Sequence, residues 1–270
     1  MTDAPTLART LIVAPHPDDD AIGAGGLIQR AVAGGARVRV VFATDGESNA
    51  WPQRFTHKKL VIRKDERARW GAMRREEALE ALARLGVERD AARFLGFPDQ
   101  KIAVLARAGC PKILDALRAV VDEFQPTLIV SPSSRDLHAD HRALSWFLHR
   151  AAGESTPIVT YVIHGDPLEE RMAVRLALTA REQLWKRQAI ECHKSQLLLS
   201  RERFLSYARP VESFYAAEHD VVGVDSVTRE WLRALRHAGR VLFGSYDAGD
   251  SGVQPAADVQ DGAGDVAGLL

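Results

Sequence analysis

The chain has 270 residues, of which 46% are hydrophobic and 27% are charged, and its 36 Lys and Arg residues balance its 36 Asp and Glu residues. A zero net charge argues against a general nucleic-acid-binding protein, and two widely separated cysteines, Cys110 and Cys192, argue against a disulfide framework or a cysteine-based zinc site. With no run of 18 apolar residues and no signal-peptide pattern at the N-terminus, we expect a cytoplasmic protein without a transmembrane segment.

Short apolar runs alternate with amphipathic helical patterns along the chain, which is typical of α/β proteins. Residues 11–13 and 38–43 are predicted strands, and the helical pattern between them ends at Gly34 and Gly35. This βαβ unit implies parallel strands. The alternation continues through predicted strands at 94–96, 127–131 and 158–163 and predicted helices at 61–85, 113–124 and 181–199. The sequence therefore predicts a Rossmann-like, mostly parallel sheet with helices on both faces and a site at the carboxyl ends of the strands.

The end of the chain differs in composition from the rest. Residues 247–270 contain five aspartates, no lysine and no arginine, and are rich in alanine and glycine. Such a segment buries too little apolar surface to fold by itself. We therefore expect one domain over residues 1–246 and a disordered acidic tail over residues 247–270. The oligomeric state stays open.

Two clusters of histidine and aspartate follow predicted strands. Residues three apart share one side of a helical turn, so His16 could converge with Asp19, and His138 with His141. Two imidazoles and one carboxylate leave a zinc ion with an open position for water, and a spare carboxylate and histidine suit proton transfer. A solvated turn and a chance HxxH are the alternatives for each cluster alone. The clusters consist of His16, Asp18, Asp19 and Asp20, and of Asp136, His138, Asp140 and His141.

Several motifs occur in a fixed order between about Leu11 and Phe214. PHPDD follows the first strand and HADH follows a later one, with TDG, RREE, LGFPD and HKSQ at 44–46, 74–77, 95–99 and 193–196. In these motifs the chain resembles the PIG-L/LmbE-type zinc-dependent N-deacetylases, which include N-acetylglucosaminyl-phosphatidylinositol de-N-acetylase and the deacetylases of mycothiol and bacillithiol synthesis. The resemblance implies an amidohydrolase with one Zn²⁺ per chain that removes an N-acetyl group from an N-acetylglucosamine-type sugar in a glycoconjugate or small metabolite.

The resemblance also implies a role for individual residues. The implied zinc ligands are His16, Asp19 and His141. Asp18 is implied as the general base, and His138 as the group that stabilises the oxyanion and protonates the departing amine, with Asp140 orienting it. Arg74 and Asp99 fall where family members hold sugar hydroxyls. Asp20 departs from the family pattern, and we expect it to interact with the helix dipole.

Two other functions stay open from the residues alone. Two histidines and one carboxylate also form the facial triad of non-haem iron oxygenases, so Fe²⁺ could replace Zn²⁺. A non-catalytic sugar-binding protein on the same fold is the second alternative.

A basic segment interrupts the balanced charge of the chain. Residues 54–75 carry nine basic and two acidic side chains, a net charge of 9 − 2 = +7. We interpret this segment as attracting an anionic moiety of the substrate, with a solvated helix face as the alternative. Trp51, just before this segment, and Phe55, near its start, are expected in a loop at the substrate mouth.

Overall fold

A seven-stranded sheet organises the computed structural model, which describes residues 7–153 and 156–217. Its strand order is β3-β2-β1-β4-β5-β7-β6. The strands are β1 (Arg9–Ala14), β2 (Arg37–Thr44), β3 (Ala92–Phe97), β4 (Leu128–Pro132), β5 (Ile158–Tyr161), β6 (Met172–Ala177) and β7 (Val211–Ala216). The helices are α1 (Asp19–Ala33), α2 (Ala50–His57), α3 (Lys64–Arg84), α4 (Ile102–Arg107), α5 (Pro111–Phe124), α6 (Ala139–Ala152), α7 (Ala180–Cys192) and α8 (Lys194–Leu205). The expected tail at 247–270, and the expected domain boundary before it, lie outside the described residues.

The first five strands are parallel and confirm the predicted sheet. β1 lies at the centre, where Ile12 pairs with Val40 of β2 on one side and with Val130 of β4 on the other. These strands are apolar because both sheet faces are covered. The edge differs, since β7 runs antiparallel to both β5 and β6. β6 and β7 have no counterpart in the sequence prediction, and half-exposed β6 lacks the continuous apolar run that marks a buried strand.

Helices cover both sheet faces, as predicted, and each face has its own apolar core. Side chains of α1, α3 and α7 pack on one face, around Ile28, Leu82 and Ile190. Side chains of α4, α5 and α6 pack on the other, around Leu117 and Phe147. In the part of the chain that the structure describes, no helix is both long and apolar enough to span a membrane.

One predicted loop and three predicted boundaries are wrong. Trp51 and Phe55, expected in a loop, lie on helix α2, and the helix predicted from residue 61 begins at Lys64. The helix predicted over 181–199 is interrupted at His193, whose ψ of 59° ends α7 before α8 begins. The sequence could not show this break because the helical spacing of residues continues across it. The predicted strand 158–163 ends at Tyr161.

Helix α1 is broken near its start, and a buried ion pair spans the break. Ala24 has non-helical angles (φ −142°, ψ 15°), which interrupt the backbone hydrogen-bond ladder. The Glu212 carboxylate accepts hydrogen bonds from the amides of Gly26 (2.6 Å) and Leu27 (3.0 Å). Lys186 Nζ donates to the Ile22 carbonyl (2.8 Å) and to Glu212 (2.6 Å). The pair therefore supplies the partners that the broken helix lacks.

Close packing also fixes the first turn of α1 against the sheet. A Cβ atom on Gly23 would lie 2.5 Å from the Tyr161 ring of β5. Only glycine lets the helix backbone approach the sheet this closely. The turn that carries Asp18, Asp19 and Asp20 is thereby held at the end of β1.

Candidate metal centre

The two predicted clusters meet at the carboxyl edge of the sheet. β1 and β4 are hydrogen-bonded neighbours, so the residues that follow them lie side by side. Together they border a cavity of about 460 Å³. The predicted site residues among its lining are His16, Asp18, Asp19, Arg74, Asp99 and His138. Asp140 and His141 are buried directly behind it, at the start of α6.

Asp19 lies between two of the histidines. Its Oδ2 atom is 3.0 Å from His16 Nδ1 and 3.3 Å from His141 Nε2. The His16 backbone amide also donates to this oxygen (3.0 Å), which fixes the turn. One carboxylate oxygen thus faces one nitrogen from each imidazole, as a shared cation would require.

Donor atoms suitable for a metal are more numerous than one ion needs. Three overlapping groups of side chains each place their donor atoms within 4.8 Å of one another. These groups are His16, His138 and His141; Asp19, His141 and His164; and His16, Asp99 and Asp140. Every group includes at least one of the three predicted ligands, but no group contains all three. The ligand set His16, Asp19 and His141 therefore stays a prediction.

Each predicted histidine ligand has a carboxylate behind its second nitrogen. Asp99 Oδ1 is 3.1 Å from His16 Nε2, and Asp136 Oδ2 is 3.2 Å from His141 Nδ1. Carboxylates in this position orient metal-binding imidazoles and increase their basicity. Asp99, predicted to hold a sugar hydroxyl, thus also contacts a candidate ligand. Asp136 belongs to the second predicted cluster, where the sequence assigns it no role, although its spacing from His141 is a signal that could suggest one.

The electrostatics of the cluster are those of a site that can bind a cation. Burial alone would lower the pKa of His141, but the Asp136 and Asp19 carboxylates raise it to about 10. Burial likewise opposes protonation of His16, yet Asp140, Asp19 and Asp99 raise its pKa well above the usual value. Each ring nitrogen of His141 faces a carboxylate oxygen, at 3.2 Å (Asp136) and 3.3 Å (Asp19), but neither contact has hydrogen-bonding geometry. Buried imidazoles that face carboxylates in this way are suited to share a divalent metal with them.

Asp18 is held beside the predicted ligands in a strained conformation. Its φ of 143° is rare for a residue with a side chain, and such strain persists where the surroundings enforce it. Arg74 enforces it, because its guanidinium lies 3.1 Å from Asp18 Oδ2 and donates to the Pro17 and Gly46 carbonyls. Burial raises the pKa of Asp18 to about 7, against the opposing effect of Arg74. Arg74 lines the cavity, but these contacts also make it a support for Asp18.

His138 is a neutral imidazole at the cavity. Burial and the neighbouring His141 and His16 lower its pKa to about 3. Its Nδ1 accepts a hydrogen bond from the Asp140 backbone amide (3.3 Å), so the ring proton belongs on Nε2. The Asp140 carboxylate accepts from the Ala103 amide and lies 3.8 Å from His16 Nε2. The contact that Asp140 makes with His138 is thus through its backbone.

Two further buried or cavity-lining residues, Asp20 and His164, lie at the centre. Asp20, expected to interact with the helix dipole, lies in the first turn of α1 and is buried, and burial raises its pKa to about 7. His164 follows β5, lines the cavity, and lies 5.6 Å from His138 and 5.2 Å from His141 between ring centroids. No sequence signal marks His164, because it stands alone in a loop.

The fold and this cluster define an α/β protein with a buried histidine–aspartate centre at the carboxyl edge of its sheet. A family model described as PIG-L: GlcNAc-PI de-N-acetylase matches residues 11–152, which is more than half of the chain. The chain belongs to this family. A curated relative from Mycobacterium sp. (strain KMS), a 1D-myo-inositol 2-acetamido-2-deoxy-alpha-D-glucopyranoside deacetylase, is 35% identical over 147 residues, or 49% of this chain and 46% of that protein. The chain spans about half the length of the curated relatives it matches.

Solved structures show the same fold. The N,N'-diacetylchitobiose deacetylase from Pyrococcus horikoshii has a TM-score of 0.60 at 22% identity, over 81% of this chain and 88% of that one. The 4-carboxy-2-hydroxymuconate hydratase from Pseudomonas putida KT2440 has a TM-score of 0.54 at 20% identity, over 94% of this chain and 100% of that one. Because these two proteins are named for different reactions, the fold alone does not decide the chemistry.

Proposed function

We propose that this protein is a zinc-dependent N-deacetylase that hydrolyses the acetamide of an N-acetylglucosamine-type sugar. The observation that carries the proposal is the Asp19 carboxylate between His16 and His141, with Asp18 beside it at the cavity. Membership of the PIG-L family supports it, as does the deacetylase name of the mycobacterial relative. Zinc is proposed because two imidazoles and one carboxylate leave it an open position.

The chain's own residues supply the binding and proton transfer that amide hydrolysis needs. We assign the metal to His16, Asp19 and His141; when bound, a divalent metal supplies Lewis-acid polarisation and lowers the pKa of water. The Asp18 carboxylate accepts a proton from the attacking water as the new C–O bond forms. That proton is returned to the nitrogen as the C–N bond breaks, giving acetate and a free amine.

His138 is suited to stabilise the charge that develops on the carbonyl oxygen. With Nδ1 accepting from Asp140, its Nε2–H points its proton away from that contact and can donate to the oxyanion. Its second predicted role, protonating the amine, requires that the neutral ring first gain a proton. Arg74 and Asp99 line the same cavity and are proposed to contact sugar hydroxyls there, in addition to holding Asp18 and His16.

Release of primary amine from N-acetylated sugar conjugates tests the proposal. The protein is stripped with a chelator, and activity is measured before and after Zn²⁺ or Fe²⁺ is restored. We expect Asp18→Asn to keep bound metal and lose at least about 100-fold in turnover. The matched control is Asp122→Asn, an exposed aspartate on α5. Full amine release by Asp18→Asn would remove this residue as the base.

Parallel assays separate the competing functions. Oxygen uptake with restored Fe²⁺ and no amine release would favour the oxygenase. Addition of water to an unsaturated acid, followed by loss of its ultraviolet absorbance, would favour a hydratase like the Pseudomonas protein. Binding of N-acetyl sugars without turnover of any would favour the sugar-binding alternative.

A further inference from the structure

A surface beside the cavity combines exposed apolar side chains with positive charge. Four large apolar residues between positions 51 and 61 are exposed: Trp51 (70%), Phe55 (63%), Leu60 (86%) and Val61 (76%). Clustered exposure of this kind marks an interaction site more often than a scattered apolar residue does. We call this surface the basic–aromatic patch. It consists of Trp51, Arg54, Phe55, Lys58, Leu60, Val61, Arg63, Lys64 and Arg67.

Local structure presents these apolar side chains outward. Trp51 and Phe55 are four residues apart on α2 and therefore share one side of it. Helix α2 ends at Lys58, which has left-handed angles (φ 51°, ψ 40°) and turns the chain into the segment that carries Leu60 and Val61. The Arg54 guanidinium lies 5.3 Å from the Trp51 ring, so a cation and an aromatic ring stand together.

The charge of the segment is unlike that of the whole protein. Residues 54–69 contain seven basic and two acidic side chains, or +5, whereas the complete chain has no net charge. Glu66 is buried and paired with Lys59, and Asp65 pairs with Arg69 (3.0 Å). The two acids are thus engaged within the segment. The surplus positive charge surrounds the apolar side chains.

We propose that the basic–aromatic patch binds an anionic lipid surface. Tryptophan and phenylalanine insert at the boundary between headgroups and acyl chains, while lysine and arginine are attracted to anionic headgroups. The attractions of several basic side chains to such a surface add together, so the patch as a whole is expected to bind measurably. A purely electrostatic partner would not explain the exposed Trp51, Phe55, Leu60 and Val61.

The patch also borders the candidate metal centre. Trp51 and the adjacent Pro52 line the cavity that contains His16 and Asp18. A protein bound through the patch would therefore hold the mouth of this cavity close to the lipid surface. Binding itself depends on exposure and charge, and is independent of the proposed deacetylation.

Vesicle sedimentation with the full-length chain tests this proposal. The probes are phosphatidylcholine vesicles with and without 30% phosphatidylglycerol, at ~50 mM and ~500 mM salt. We expect binding to the anionic vesicles alone, weakened at high salt, with a blue-shifted tryptophan emission. Trp51→Ala/Phe55→Ala and Lys58→Glu/Lys64→Glu are each expected to weaken partitioning at least tenfold.

Matched variants control for loss of a tryptophan and for charge. Trp185→Ala removes another partly exposed tryptophan beside an arginine, and Lys112→Glu/Arg118→Glu reverses two exposed charges on α5. Both controls are expected to bind as the unmodified protein does, and circular dichroism checks that every variant is folded. Absence of vesicle binding, or equal binding by the Trp51→Ala/Phe55→Ala variant, would overturn the proposal. Self-association that this variant abolishes, without vesicle binding, would instead identify a protein interface.

Discussion

Two groups of buried charges contact the first half of α1: the Lys186–Glu212 pair and the candidate metal centre. They differ in whether the charges within each group balance one another, and we call the first group complete and the second incomplete. At the break in α1, the Lys186–Glu212 pair satisfies itself and the helix with four hydrogen bonds of 2.6–3.0 Å. At the metal centre, aspartates outnumber the cations that could balance them. These aspartates raise the pKa values of His16 and His141. A complete group of charges maintains structure, whereas an incomplete one has capacity for a ligand.

The largest expected effect comes from removing a predicted ligand at the incomplete group. Asp19→Asn should abolish stoichiometric metal binding and reduce amine release at least about 100-fold, because it removes the oxygen shared by His16 and His141. Metal content is measured by atomic absorption. In the metal-free protein the same change should not lower the melting temperature by more than a few degrees, since one of several crowded carboxylates is lost. Retained metal and activity would contradict the ligand assignment.

In the complete group, the Lys186–Glu212 pair, a substitution should lower the stability of the fold rather than metal binding. Glu212→Ala leaves Lys186 and two backbone amides of α1 buried without their acceptor, so we expect a loss of about 3–5 kcal/mol in the free energy of unfolding. Urea denaturation measures it, with and without bound metal. Lys186→Met in the Glu212→Ala background should cost less than it does alone, because the two effects are coupled. A loss under ~1 kcal/mol would show that water replaces the carboxylate.

A carboxylate behind a predicted histidine ligand tests whether residues that do not contact the metal contribute to its affinity. Asp136 accepts hydrogen bonds from the amides of His138 (2.8 Å) and Ile163 (2.9 Å) while it contacts His141. Asp136→Asn should therefore weaken metal binding about 10–100-fold, measured by competition with a chromogenic chelator. Asp122→Asn serves again as the control. Unchanged affinity would confine the group to residues that contact the metal directly.

Sequence reasoning reached the site because its chemistry is local. PHPDD and HADH each place several polar residues at one strand end, and parallel strands bring such ends to one edge of the sheet. The central strands were predicted for a similar reason, since burial on both faces requires a continuous apolar run. The family resemblance added roles that spacing by itself left open.

The remainder depends on contacts between distant parts of the chain. Glu212 accepts a hydrogen bond from Gly26, 186 residues away, and nothing near either residue indicates the other. The Asp136 carboxylate, in the loop after β4, accepts a hydrogen bond from the His164 amide after β5 (3.1 Å), and β6 pairs with β7 at the edge of the sheet. Helix α2 is only eight residues long and buries only Pro52 and Gln53, and so short a periodic segment does not by itself predict a helix.

An exposed ion pair that joins α1 to α7 gives the smallest expected effect. Arg30 of α1 lies 2.8 Å from Glu182 of α7, one turn before Lys186, and both side chains are partly exposed. The hydrogen bond from Arg30 lowers the pKa of Glu182 to about 2, well below its usual value of about 4.3. Because solvent screens this pair, we expect Glu182→Gln to cost only about 0.5–1 kcal/mol at pH 7.

The pH dependence of the Glu182→Gln effect distinguishes the ion pair with Arg30 from the helix-capping role of Glu182. Glu182 also accepts from the Thr179 amide (2.7 Å), a contact that glutamine can keep in a capping box. A carboxyl whose pKa is lower in the folded chain stabilises fully above its unfolded pKa, and that contribution disappears as the pH falls toward about 2. The difference between the unmodified chain and Glu182→Gln should therefore shrink progressively below about pH 5, measured by urea denaturation at pH 7, 4 and 3. A difference that stays constant with pH would show that side-chain packing, rather than charge, distinguishes the two residues. In that case the Arg30–Glu182 pair would not measure what an exposed ion pair contributes, and it could not be compared with the buried Lys186–Glu212 pair.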